Sequence, residues 1–323
     1  MTPASSSTSA AQSAPVKKSL PASTARSGPT PAAAQPQITY SSEYIAYLNK
    51  SLSTRTPQEI LEWALISLPG LVQTTAFGLT GLAILDMISK IRVKRGLDQH
   101  PVPLIFIDTL YHFQETLSLA QKASKTYNAP LQIYTPHTFM TTAAFESHHG
   151  LKLWETDADV YDYLVKVEPG RRAALENHAQ VTITGRRRSQ GAARAAIPIL
   201  ELDSSVSPPM LKLNVLADWD YNKVWSYIQE NNVPYNELHD KGYKSIGDWH
   251  STAPTAPGES ERDGRWKGQE KTECGLHKDY FKMRSSYMAA QIRKNGQRGE
   301  EDVLVNEPES KRVKVAVVEI GQL

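Results

Sequence analysis

An α/β fold on a mainly parallel sheet, with helices on both faces, is the class this sequence predicts. Three observations predict it. Five short apolar or β-branched runs recur, at residues 71–77, 103–108, 131–135, 181–185 and 211–216. Helical segments of about 10–15 residues separate the first three, the spacing of parallel strands joined by crossovers. Several runs end in turns of small, hydroxyl or charged residues, where such sheets bind ligands.

Each element has a local reason. The folded region opens near Thr39. Thr56-Pro57-Gln58-Glu59 is a capping box with proline at the first helical position, and the helix stops at Pro69-Gly70. Residues 71–77 read as a buried strand, 78–81 as a turn and 82–95 as a helix. The run PLIFID at 103–108 is a strand, 113–127 a helix by period and 131–135 a strand. VTITG at 181–185 is brief and β-branched, and LKLNVL at 211–216 alternates. After Gly242 the character changes: 249–266 is rich in Pro, Gly, Ser and charge and reads as a loop or lid. Residues 278–294 form a further helical segment. The strand ends to inspect are 77–81, 108–113 and 185–191.

Composition narrows the function. With 36 basic and 34 acidic residues in 323, the net charge is +2, which gives no reason to expect nucleic acid or an anionic membrane as the main partner. A single cysteine excludes an intramolecular disulfide, a Cys-rich zinc site and a four-cysteine iron–sulfur cluster from this chain. The uncharged stretch 63–85 is long enough to span a bilayer. It holds Pro69-Gly70, Gln73, Gly78 and Gly81, so a strand, turn and helix fit it better. Residues 1–38 hold six of the 20 prolines and no acidic residue, and read as disordered rather than as a transit peptide.

Four segments carry chemistry. TTAFGLTG at 74–81 is a strand–turn–helix whose backbone N–H groups suit an anion, or an ordinary βα turn. Asp108 at the next strand end suits a ribose or adenine contact, or a helix cap. TGRRRSQG at 184–191, with Arg194 beyond it, suits phosphate or sulfate, or is a solvated basic loop. Cys274 lies in KTECGLH beside Lys271, His277 and Lys278, where positive charge favours thiolate; the alternative is an incidental thiol. His148-His149 is an adjacent pair that does not share a helix face, so no metal site is expected.

These segments, in this order, resemble the thioredoxin-dependent PAPS (3′-phosphoadenylyl sulfate) reductases, the fungal members most. The resemblance runs from about residue 40 to 284. It rests on TTAFG at 74–78, FIDTLYHFQET at 106–116, KVEP at 166–169, TGRRRSQG at 184–191, ADWDYNKVWSYI at 217–228, GYKSIGDWHST at 242–252, RWKG at 265–268 and KTECGLH at 271–277. Gln114 stands where many members have proline.

The resemblance implies an adenine nucleotide α-hydrolase-like fold whose pyrophosphate loop is altered. Phe77-Gly78 replaces the Asp-containing loop of ATP-splitting relatives, so that chemistry is not expected. It implies a nucleotide-binding domain at 39–241, a lid at 242–294 carrying the catalytic cysteine and a variable tail at 295–323. Cys274 attacks the sulfate sulfur. Phe77 and Gly78 line the nucleotide–sulfate pocket, and Asp108 and Thr109 face the adenosine. Lys166, Arg187, Arg188, Gln190, Arg194 and Arg265 carry phosphate and sulfate charge. Tyr243, Asp248 and His250 lie near the reacting end, and His277 is close to the thiol. APS (adenylyl sulfate) reductases have a Cys-Cys pair before KVEP; here Asp162-Tyr163-Leu164-Val165 precede Lys166, which points to PAPS and no cluster. Reduced thioredoxin as donor, no bound cofactor or metal, a homodimer and a cytoplasmic location are further expectations. A nucleotide sensor without catalysis, or APS reduction, are the alternatives.

Overall fold

The computed structural model describes residues 40–206, 208–267, 273–277 and 279–296, the side chains of 277 and 293–296 excepted. The expectations for 1–38 and for the tail past 296, and Lys271 and Lys278, lie outside the described residues.

Two capped helices open the fold. In α1 (Ser42–Leu52) the Ser41 hydroxyl accepts the Tyr44 N–H. In α2 (Pro57–Ser67) the capping box forms as the sequence predicts. Gly70, at φ 58°, turns the chain into β1 (Leu71–Thr74); a Cβ there would lie 2.7 Å from the His178 carbonyl oxygen. Then follow α3 (Leu79–Lys94), β2 (Leu104–Ile107), α4 (Gln114–Tyr127) and β3 (Leu131–Tyr134). Short helices α5 (Thr142–His149), α6 (Leu153–Thr156) and α7 (Ala158–Asp162) lead through a π-helical turn, Tyr163–Val167, into α8 (Glu168–Glu176). The remaining elements are β4 (Val181–Ile183), β5 (Leu200–Asp203), β6 (Met210–Leu213), α9 (Tyr221–Glu230) and α10 (Tyr280–Gly296).

The strands form one sheet in the order β3-β2-β1-β4-β6-β5, parallel except for β5 against β6. The strand succession runs one way from β1 to β3 and the other way from β1 to β4. That reversal opens a crevice at the carboxyl ends of β1 and β4, the place where open α/β sheets bind ligands. The antiparallel edge strand was not expected. Asn49 of α1 covers it, donating to the Leu200 carbonyl and accepting the Leu200 N–H, both at 2.8 Å. Pairing these groups blunts an otherwise open edge.

Strand alternation decides which face is dry. Leu104, Phe106, Val181, Ile183, Leu211 and Leu213 point into the main core with α2, α3, α4 and α9. Val72, Ile105 and Ile107 point to the other face, where α8 covers them through Ala173 and its neighbours. Farther along that face the residues change to Thr182, Lys212 and Asp203, and these border a cavity instead of a hydrophobic layer. On the main face, buried Asp86 of α3 accepts from Tyr227 of α9 at 2.6 Å and pairs with Lys90 at 2.7 Å.

One boundary differs from expectation. The helix after β1 starts at Leu79, not 82, because Gly78 already serves as its N-cap and no longer turn is needed. Residues 249–266, expected as a loop or lid, are tied to their surroundings by hydrogen bonds. His112 bridges Asp248, Thr252 bridges Arg265, and the Trp266 N–H donates to the Ser251 carbonyl at 2.9 Å. Trp266 and Asp248 are buried.

Candidate active site

A cavity of about 340 Å³ occupies the crevice. The loops after β1, β2 and β4, the π-helical turn, and segments 244–248, 261–266 and 274–276 all border it.

The β1 end builds its floor. Phe77 takes a left-handed backbone, φ 56°, which is costly for a non-glycine residue. Its ring holds it there, buried edge-on against Phe106 at 5.5 Å, and the Thr75 hydroxyl accepts its N–H at 2.9 Å. The reversal starts α3 at the cavity, with no side-chain cap from Gly78. Helix N-terminal N–H groups left without a cap favour an anion. Gly78, Leu79, Thr80 and Gly81 line the cavity, whereas the Phe77 side chain belongs to the core.

The β2 end behaves differently. Asp108 is absent from the cavity lining; its carboxylate accepts the Leu110 N–H at 2.9 Å and shapes a turn in which Leu110 has φ 70°. The helix that follows is capped at Phe113, so Asp108 is a turn residue rather than a helix cap. Thr109 does line the cavity and donates to buried Asp248 at 2.6 Å.

The three arginines after β4 take different partners, and Arg186 and Arg187 both line the cavity. Arg187 faces the cavity: its Nε donates to the Thr80 hydroxyl at 2.9 Å and its fork grips Glu261 at 2.6 and 2.8 Å. Arg186 pairs with Glu201 of β5. Arg188 turns outward to Asp218 and the Ile197 carbonyl and does not line the cavity. Gln190 and Arg194 line it, and Arg194 is bidentate to Glu273.

Lys166 projects from the π-helical turn, a distortion that recurs at functional sites. It is buried between Asp162 at 3.1 Å and Asp248 at 2.8 Å. Burial opposes its charge, but Asp248, Asp162 and Cys274 outweigh burial and raise its pKa. Asp248 is likewise penalised by burial, yet Lys166, His112 and the Thr109 hydroxyl hold its carboxyl well below the usual range. Tyr161 donates to Asp248 at 3.2 Å and lies 2.9 Å from His250 Nε2. His250 stacks on Trp154 at 4.0 Å, outside the lining. Tyr243 also lies outside it, against Phe113.

Cys274 is half-buried at the rim. The sequence placed Lys271, His277 and Lys278 beside it; none of these three side chains is among the described ones. The described cations coupled to Cys274 are Lys166, Arg262 and Arg265. Arg265 lies over the Trp266 ring at 4.6 Å, donates to the Ile246 carbonyl at 3.3 Å, and leaves a shielded Nε without a partner among the described residues. Burial and neighbouring Arg194 push Arg262 down to about 10. Crowded guanidinium groups with an unmatched donor describe a site shaped for an anion.

Sequence reasoning missed Arg262, Glu261, Glu273 and Asp162. Only Asp162 carried a local signal, four residues before Lys166 on a helix.

The model of the phosphoadenosine phosphosulfate reductase domain matches residues 70–254. The chain belongs to the PAPS reductase family. It is similar to the probable phosphoadenosine phosphosulfate reductase of Schizosaccharomyces pombe, 49% identical over 256 residues, or 79% of this chain and 92% of that one. It is similar to the phosphoadenosine phosphosulfate reductase of Saccharomyces cerevisiae, 48% identical over 74% of this chain and 92% of the relative. Among solved structures it resembles the PAPS reductase of Candida auris in a phosphate complex, with 49% identity, 68% of this chain and 100% of that one covered, and a TM-score of 0.61. The fold is the α/β, adenine nucleotide α-hydrolase-like fold of this family, as the motifs implied.

Proposed function

We propose that this chain reduces 3′-phosphoadenylyl sulfate to sulfite and adenosine 3′,5′-bisphosphate, with reduced thioredoxin as donor. One observation carries the reading: the chain's sole thiol borders a strand-end cavity lined, among the described residues, by nine lysines and arginines and three carboxylates. A thiolate approaching a polyanion needs such charge.

In this reading the α3 N-terminus, Gln190, Lys166 and Arg265 hold the phosphate and sulfate groups, Arg187 fixes the β4 loop against Thr80 and Glu261, and Gly78 and Thr109 shape the pocket. The Cys274 thiolate forms a bond to the sulfate sulfur, the S–O bond to the 5′-phosphate breaks, and the bisphosphate leaves with that electron pair. A thioredoxin thiolate then attacks the cysteine sulfur and sulfite departs with the S–S electron pair. The second thioredoxin thiol frees Cys274 and leaves thioredoxin as a disulfide. Phe77, Asp108, Tyr243 and His250 support loop geometry, and Arg188 contributes at the outer rim. Residues 39–241 act as the nucleotide-binding domain and 242–294 as the segment carrying the nucleophile, with 1–38 and 295–323 as appendages. We further propose a cytoplasmic homodimer working without bound metal, cofactor or cluster and apart from nucleic acid and membranes. Among the described residues no helix is long and apolar enough to cross a membrane.

The test is sulfite release from PAPS and from APS with reduced thioredoxin. Turnover of PAPS with a single sulfonate trapped on Cys274 when thioredoxin is omitted supports the proposal. A single contact to the 3′-phosphate is worth about 1.5–3 kcal/mol, so PAPS should be favoured by about 10- to 150-fold. Equal turnover of APS, or nucleotide binding without sulfite from either substrate, rejects it.

A further inference from the structure

We infer that Arg194 and Glu273 form a clamp that positions Cys274, so that Arg194 serves the nucleophile rather than the substrate's phosphates. The inference rests on the proposed role of Cys274.

The donors of Arg194 are committed inside the protein. Its Nε donates to Glu273 Oε2 at 2.7 Å, one terminal nitrogen donates to Glu273 Oε1, and the other donates to Gln190 Oε1. The same Gln190 oxygen accepts the Arg187 N–H at 3.1 Å, which ties this group to the loop after β4. Glu273 Oε1 also accepts the Cys274 backbone N–H at 2.9 Å. A continuous path of hydrogen bonds therefore joins the β4 loop to the residue that bears the thiol, its Arg194–Glu273 link crossing 79 positions of sequence.

The other neighbour of Cys274 is anchored too. A Cβ at Gly275 would lie 2.8 Å from Asp162 Cβ and 2.9 Å from Asp162 Cγ, so the backbone there rests directly on the residue that pairs with Lys166. Cys274 stands between these two fixed points. The charge logic agrees. A bare carboxylate next to a cysteine opposes thiolate formation; the bidentate Arg194, with Arg262 3.6 Å from the same carboxylate, neutralises it while keeping its geometry.

The test uses the full-length protein and Glu273→Gln and Arg194→Lys variants, each checked by circular dichroism and melting, with Glu273→Asp as a second variant if Glu273→Gln melts early. Three measurements are made: the single-turnover rate of Cys274 sulfonation by PAPS, the Kd of adenosine 3′,5′-bisphosphate, and the pH profile of alkylation by iodoacetamide. The chain has one cysteine, so alkylation reports Cys274 alone. A clamp predicts sulfonation slowed by about tenfold or more in both variants, because misplacing a reacting group costs that order of rate. Product Kd should stay within about twofold, and the double variant should be little worse than either single one. Glu273→Gln should also lower the alkylation midpoint, since it removes the negative neighbour but not Arg194, a shift that a purely structural glutamate does not produce. Product affinity weakened by about tenfold in Arg194→Lys, equal to the loss of a direct phosphate contact, overturns the inference. So does wild-type sulfonation and alkylation in Glu273→Gln. If PAPS never sulfonates the wild-type protein, the proposed function fails instead, and the alkylation and product-binding results still judge the clamp.

Discussion

Replacing Asp248 with asparagine removes one of the two carboxylates that hold Lys166 while keeping the shape of the side chain. In the native fold Asp248 is 2% exposed and binds the Lys166 ammonium at 2.8 Å, the Thr109 hydroxyl at 2.6 Å and the Tyr161 hydroxyl at 3.2 Å. The asparagine carbonyl keeps one acceptor, but the amide that replaces the second oxygen accepts nothing and the side chain offers Lys166 no charge. Asp162 remains 3.1 Å from Lys166, so the cation is weakened in its pairing rather than orphaned. Breaking a buried pair outright costs about 3–5 kcal/mol, and a hydrogen bond to a charged group is worth about 1.5–3 kcal/mol. The expected loss for Asp248→Asn is therefore about 2–3 kcal/mol of unfolding free energy, and for Lys166→Met, which strands both carboxylates, about 3–5 kcal/mol. Urea titration of each variant checks this. The pH dependence has a definite sign. The folded carboxyl titrates below its unfolded value, so its contribution is present above about pH 4 and is lost as pH falls further. The gap between wild type and Asp248→Asn should stay constant from about pH 8 to pH 5 and narrow below pH 4. A gap under about 0.5 kcal/mol near neutrality, the range of ordinary surface changes, would refute the argument that this network holds the site together.

Gly275→Ala drives a Cβ into Asp162, which is fully buried and cannot retreat. Sulfite release should fall by about tenfold or more while the bisphosphate product still binds, read by steady-state kinetics and calorimetry. His239 is shielded from water, which pushes its imidazole down to about 4. The unfolded chain takes up a proton near pH 6.5 that the folded one refuses, so stability is complete above that value and declines as pH falls towards 4. Between pH 7.5 and 5 the loss from this residue is about 2 kcal/mol, and His239→Phe, whose ring keeps the contact with Trp225, should abolish it in urea titrations at the two pH values.

Much of this architecture was legible because its causes are local. The capping box at Thr56 and Glu59, the proline at 57 and the β-branched run at 181–183 act within a few residues, so composition and spacing reveal them. The alternation of LKL in β6 already separated a core face from a polar one. Edge strand β5 alternates too, as LELD at 200–203, but it is only four residues long, and its pairing depends on β6 and on Asn49 far away in sequence. Asp108 misled for a related reason: an acidic residue at a strand end suits a ligand or its own turn equally, and only the Leu110 N–H beneath it decides.

The sequence by itself determined the fold class, the strand ends that meet at the crevice and the one thiol available to react. Periodicity, turn chemistry and a residue count are properties of the chain alone. Tertiary structure decided where each charge goes. Arg187 and Arg188 are neighbours of the same type, yet one meets Glu261 in the cavity and the other meets Asp218 outside it. Lys166 has a local partner in Asp162, but its second carboxylate, Asp248, arrives from 82 positions onward (248 − 166). Removing an ion from water is so costly that its position is set by whichever opposite charge or hydrogen-bond partner the fold brings within about 3 Å, and no local pattern along the chain encodes a meeting between distant residues.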